Sequence, residues 1–131
     1  MPGELILIVE DNERNRKLAR DVLQFKGFRT LEAATAAEGI ALAEAHHPRL
    51  VLMDIQLPDL DGTAALARLR AVAATASIPV VALTAFAMKD DRDRFLAAGF
   101  DGYVAKPIDV RQFPDQVRQF CERAAPPEGP A

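Results

Sequence analysis

The chain has 131 residues, half of them apolar, and a formal net charge of −3. That length suits one domain with a real core, the acidic balance argues against a surface that tracks nucleic-acid phosphates, and no run of about eighteen apolar residues is present to span a membrane. The single cysteine, Cys121, makes neither an internal disulfide nor a thiol metal cluster, and a strand that starts almost at once leaves no secretory signal peptide, so a cytoplasmic protein is expected.

Leu5 to Val9 is a continuous apolar run and reads as a strand buried on both faces. Asn12 is placed to cap a helix with the apolar stripe Leu18, Val22, Leu23 and Phe25, stopped by Gly27. A weak second strand covers Phe28 to Ala33, and Thr35 with Glu38 has the capping-box spacing for a helix ending at His46-His47-Pro48. The third run, Leu50 to Met53, leads to the turn-rich Leu57-Pro58-Asp59-Leu60-Asp61-Gly62 and a helix with Leu66, Leu69 and Val72 inward. The fourth, Val80 to Leu83, passes through Ala85-Phe86-Ala87-Met88 into a charged helix carrying Phe95 and Leu96 and closed at Gly99. The fifth, Tyr103 to Ala105, precedes a last helix opened by Asp109. In that helix Val110-Arg111-Gln112-Phe113 recurs as Val117-Arg118-Gln119-Phe120, an apolar stripe for the sheet, and Pro114 should cost a hydrogen bond or make the helix start late. Five strand–helix units with short connections predict a doubly wound α/β sandwich, a single domain over residues 1–123. The Pro- and Ala-rich residues 124–131 read as a disordered tail.

Each central strand ends in a residue suited to phosphate or metal: Glu10-Asp11, Asp54, Thr84 and Lys106. In parallel sheets ligands bind beyond the carboxyl ends of the strands, so these residues converge on one crevice. Three carboxylates there repel unless a counter-charge is supplied, and Mg²⁺ suits a site of few carboxylates, water and phosphate. An ionised Asp54 can then attack phosphorus, with Lys106 and the Thr84 hydroxyl holding phosphoryl oxygens. Singly, each of these residues has a plain structural explanation, as helix cap, solvated charge or turn hydroxyl. As a set, that explanation needs five coincidences at one sheet edge. For His46-His47, at a helix end beside a proline, the structural reading wins, and Asp90 to Arg94 reads as a solvated helix face.

Four motifs in order make the chain resemble the receiver domains of bacterial two-component response regulators, the CheY-like family, over roughly residues 4 to 123. They are Val9-Glu10-Asp11-Asn12, Met53-Asp54-Ile55-Gln56-Leu57-Pro58 with Asp61-Gly62, Leu83-Thr84-Ala85, and Tyr103-Val104-Ala105-Lys106-Pro107. The opening Val9-Glu10-Asp11-Asn12 and the stretch Thr84 to Lys89 are similar to stand-alone, DivK-like receivers. The resemblance implies a flavodoxin-like sheet of order 2-1-3-4-5 with five helices. It implies Asp54 as phosphoacceptor from a phosphohistidine on a kinase or phosphotransfer protein. It also implies Mg²⁺ held by Asp11, Asp54, Glu10 through water and the Gln56 carbonyl. Lys106 and the Ala85 backbone N–H would hold the phosphoryl group, Thr84 and Tyr103 would form a switch pair, and the Lys106–Pro107 peptide would be cis. Such a domain is not an enzyme, beyond assisting its own phosphotransfer and dephosphorylation. With the ordered chain used up by one receiver, output is expected through protein partners rather than DNA, from the face built by the Phe86-Ala87-Met88 loop, the helix after it, the Tyr103 strand and the last helix.

Two rivals of other classes fail on named residues. A haloacid-dehalogenase-type phosphatase needs a second Asp two positions after the nucleophile, where Gln56 stands. A nucleotide-binding module wants glycines after the first strand, where Glu10-Asp11-Asn12-Glu13 has none.

Overall fold

The apolar runs become the strands of a five-stranded parallel sheet in a computed structural model that describes residues 3–85 and 89–123. In chain order the elements are β1 (Leu5–Val9), α1 (Glu13–Phe25), β2 (Arg29–Ala33), α2 (Ala36–His46), β3 (Leu50–Asp54), α3 (Gly62–Ala71), β4 (Val80–Thr84), α4 (Lys89–Ala98), β5 (Gly102–Ala105) and α5 (Phe113–Arg123). The order across the sheet is β2-β1-β3-β4-β5, and every neighbouring pair is parallel. The doubly wound fold and its 2-1-3-4-5 order are therefore as expected.

Alternation of side chains along the strands divides the core in two. Leu7, Val9, Val51, Met53, Val80 and Ala82 face one way, onto Ala43 of α2, Leu66 and Leu69 of α3 and Phe95 of α4. Ile6, Ile8, Leu50, Leu52, Val81 and Leu83 face the other way, onto Leu23 of α1 and Phe113, Val117 and Cys121 of α5. Unbroken apolar runs follow from this double coverage, and each fully buried Leu, Ile or Val contributes about 1.5–3 kcal/mol by leaving water. Cys121 behaves as a small core residue, and burial pushes its thiol up to about 11.

The helix starts are local chemistry. Asn12 accepts the Asn15 N–H, Thr35 the Glu38 N–H and Asp61 the Ala64 N–H, each an N-cap at the sheet edge where the strands end. The helix ends turn on Gly27 and Gly99, both at positive φ, and on His47 in the left-handed region before Pro48.

Four expectations need correction. In α1 the inward positions are Ala19 and Leu23, while Leu18 is 38% and Phe25 85% exposed. At 100° per residue Phe25 lies some 200° from Leu23 and turns away from the sheet. Val72 does not face inward: α3 ends before it, its backbone is extended, and it is 38% exposed. Asp109 opens a separate turn rather than α5, its carboxylate accepting the Arg111 and Gln112 N–H groups. The helix then starts late, at Phe113, which puts Pro114 in the first turn, where its missing N–H has no intrahelical partner to lose. Val110 is thereby left outside the helix and half exposed, so the inward stripe begins at Phe113. Phe86-Ala87-Met88, the side chains of Asp90 to Arg92, and the tail from Ala124 lie outside what the structure describes.

Candidate functional site

The carboxyl ends of β1, β3, β4 and β5 lie side by side, and Glu10, Asp11, Asp54 and Lys106 meet there in one cleft. Glu10 comes off β1 almost fully buried, with Asp11 beside it in solvent. Asp54 ends β3 and is 4% exposed, although charged residues are rarely buried without a partner. That partner comes from beyond β5: the Lys106 Nζ stands 3.0 Å from Asp54 Oδ2 and 3.1 Å from Glu10 Oε1. The remaining carboxylate oxygens face backbone donors, Glu10 Oε2 accepting the Asn12 N–H and Asp54 Oδ1 the Gln56 N–H. The Lys106–Pro107 peptide is cis.

Burial raises the pKa of Glu10 to about 7, helped by the neighbouring Asp54 and opposed by the Asn12 N–H and Lys106. For Lys106 burial works against the charge, but Asp54 and Glu10 outweigh it and hold the ammonium above its ordinary range. Glu10, Asp11 and Asp54 each offer an oxygen within 4.8 Å of the others'. Three acids against one ammonium leave an excess of negative charge at a hard, all-oxygen site, a donor set that fits Mg²⁺ better than a soft metal.

The other expected residues flank this cluster. Thr84 ends β4 buried and accepts the Lys106 backbone N–H at its carbonyl, and Ala85 follows it at the surface. Tyr103 pairs in register with Ala82 and packs against the core on the α3–α4 side, the same sheet face as Thr84 by alternation. Gln56 is exposed on the loop after β3 and lines the cleft with Asp11, Asn15 and Pro58.

Two residues to which the sequence reading gave no role at the site help to shape it. Arg16 of α1 donates to the Glu10 carbonyl at 2.9 Å while pairing with Glu32 at the end of β2. Asp59 reaches from the loop after β3 to the first turn of α2. Asp59 meets backbone N–H groups 23 and 22 positions away and Arg16 a carbonyl six positions back, contacts for which no sequence pattern exists.

The family profile described as a response regulator receiver domain matches residues 6–118. The chain belongs to the response regulator receiver family. It is 42% identical over 115 residues to the polar-differentiation response regulator DivK of Brucella ovis, covering 88% of this chain and 94% of that one. Among solved structures it is similar to the receiver domain of a sensor histidine kinase from Pseudomonas aeruginosa PAO1, with 33% identity, TM-score 0.83, and 92% and 98% of the two chains covered. That receiver was crystallised with a magnesium ion coordinated in its active site cleft. A CheY-like receiver from Methanospirillum hungatei JF-1 is similar at 30% identity and TM-score 0.82, over 93% and 96% of the chains. The receiver carries a phosphoacceptor function in two-component signalling, and the phosphatase alternative finds no support in any of these relatives.

Proposed function

We propose that this receiver takes a phosphoryl group from a phosphohistidine onto Asp54 and works as a stand-alone switch that binds other proteins. The observation that carries the reading is the Lys106 ammonium within 3.1 Å of two almost fully buried carboxylates at the strand ends, with Asp11 beside them. Asp11 and Asp54, the Gln56 carbonyl, and Glu10 through water would hold Mg²⁺. Bound there, the ion offsets the acids' repulsion and draws charge from phosphoryl oxygens in transfer.

The chain's own groups do the rest. An Asp54 carboxylate oxygen attacks phosphorus, the P–N bond to the donor imidazole breaks as the P–O bond forms, and the imidazole keeps the electron pair. Lys106 exchanges its Asp54 contact for a phosphoryl oxygen, and the Ala85 N–H donates to another. Thr84 turns its hydroxyl to the phosphoryl group, and Tyr103, on the same face, follows it inward. That movement carries the phosphorylation state to the surface formed by α4, β5 and α5. The group is a substrate carrier rather than a turnover enzyme, assisting at most its own phosphorylation and hydrolysis.

Stand-alone output is supported by DivK of Brucella ovis, of whose length this chain covers 94%. Among the described residues no helix is long and apolar enough to cross a membrane, which is compatible with cytoplasmic phosphotransfer. The test is a phosphotransfer profile with labelled histidine kinases and phosphotransfer proteins of the source organism. At least one should pass label to the wild type and none to Asp54→Asn. Equal labelling of the variant, or no transfer from any donor, overturns the assignment.

A further inference from the structure

The loop from Ile55 to Asp61 carries the proposed Gln56 ligand, and its two ends are held by neighbouring backbone. The Ile55 N–H donates to the Leu83 carbonyl at 3.2 Å and the Gly62 N–H to the Ile55 carbonyl at 2.7 Å. The middle is held differently. Asp59 sends its carboxylate across to α2, where Oδ1 accepts the Ala36 N–H at 2.9 Å and Oδ2 the Ala37 N–H at 3.0 Å.

A helix start leaves its first N–H groups without intrahelical partners. In α2 the local cap, Thr35, satisfies the Glu38 N–H, and the Gly39 N–H reaches the Thr35 carbonyl. The Ala36 and Ala37 N–H groups are met by a side chain 23 and 22 positions away. One carboxylate accepting two backbone N–H groups at the positive end of a helix is a strong, directional clamp. Those two N–H groups hold Asp59 below the usual carboxylate range.

The helix is a firm anchor. A Cβ on Gly39 would lie 2.7 Å from Val9 Cγ2, so α2 rests directly on the strand that runs into Glu10. The clamp therefore ties the loop after β3 to an element fixed against β1, and both strands supply the acid cluster.

We propose that Asp59 is a positioning residue for the metal site: it sets the loop that presents the Gln56 carbonyl relative to Glu10 and Asp11. This rests on the ligand set proposed above. An acid three residues from a ligand, in a loop with Pro58, acts without touching the ion.

The experiment titrates Mg²⁺ into the unphosphorylated full chain by NMR and follows phosphorylation by a small phosphodonor across Mg²⁺ concentrations. The variants are Asp59→Ala, Asp59→Asn and Thr35→Ala. Asp59→Ala should weaken Mg²⁺ binding about tenfold, the low end of what loss of an outer support costs a metal site. Its phosphorylation should recover at saturating Mg²⁺, and the Ala36 and Ala37 amides should lose protection from hydrogen exchange. Asp59→Asn, which keeps one acceptor oxygen, should recover part of the affinity. Thr35→Ala removes a cap made within α2 itself and should leave Mg²⁺ affinity unchanged. Wild-type affinity in Asp59→Ala overturns the proposal, as does equal weakening by Thr35→Ala. A wild type that binds no Mg²⁺ overturns the ligand set itself, a result distinct from either.

Discussion

Lys106 holds a full positive charge beside two buried carboxylates, and its flexible stem lets that charge follow whichever anion is present. Replacing it by Ala removes a donor aimed at the charge that develops in transfer, a loss usually worth about 10²–10³ in rate. Lys106→Ala should therefore fold, keep its Asp54, and become phosphorylated about a hundredfold more slowly. Initial rates of acyl-phosphate formation, with circular dichroism as the folding control, check this. An unchanged rate would remove Lys106 from the site. Glu10, Asp11, Asp54, Thr84 and Lys106 were legible in the sequence because a polar residue closing an apolar strand run has few reasons to be there. Arg16 and Asp59 were not legible, because each acts by bonding to a backbone group and leaves only an ordinary charge in a helix or a turn.

Among the elements, β1, β3 and β4 were legible because burial on both faces writes itself as a nearly continuous apolar run, whereas β2, exposed or half-buried over most of its length, left a weaker pattern. Helix faces and ends were harder. Phe25 is apolar yet 85% exposed, since composition alone does not say which side of α1 meets the sheet. Asp109 has the look of a helix cap and does cap a turn, but Pro114 and the buried Phe113 set where α5 begins. Gly62, at the start of α3, shows how an element end shapes the site. A Cβ there would stand 2.9 Å from both the Asp54 carbonyl oxygen and the Ile55 Cα, and backbone atoms have nowhere to yield. Gly62→Ala should cost about 1–3 kcal/mol of stability and displace the end of β3. Chemical denaturation and Mg²⁺ titration of the same variant should move together. A variant as stable as the wild type, with unaltered Mg²⁺ binding, would show that the close approach is dispensable.

For the molecule as a whole, phosphorylation must alter a surface to be of use. A switch of this kind shifts a two-state equilibrium by its differential contacts, and coupling between two sites is typically 5–150-fold. A cognate kinase or phosphotransfer protein should bind the chain at least about fivefold more tightly with a phosphoryl mimic on Asp54, measured by calorimetry against the unmodified protein. Affinity indifferent to the mimic, or sequence-specific DNA binding by the chain alone, would contradict a protein-directed output. All of this rests on where the phosphoryl group goes. The most direct test exposes the wild type and Asp54→Asn to a small phosphodonor with and without Mg²⁺, traps the acyl phosphate by reduction, and maps it by peptide mass spectrometry. One phosphoryl group on Asp54, only with Mg²⁺ and absent from Asp54→Asn, is the result expected. Modification at another residue, or labelling of Asp54→Asn at the wild-type rate, would contradict the account.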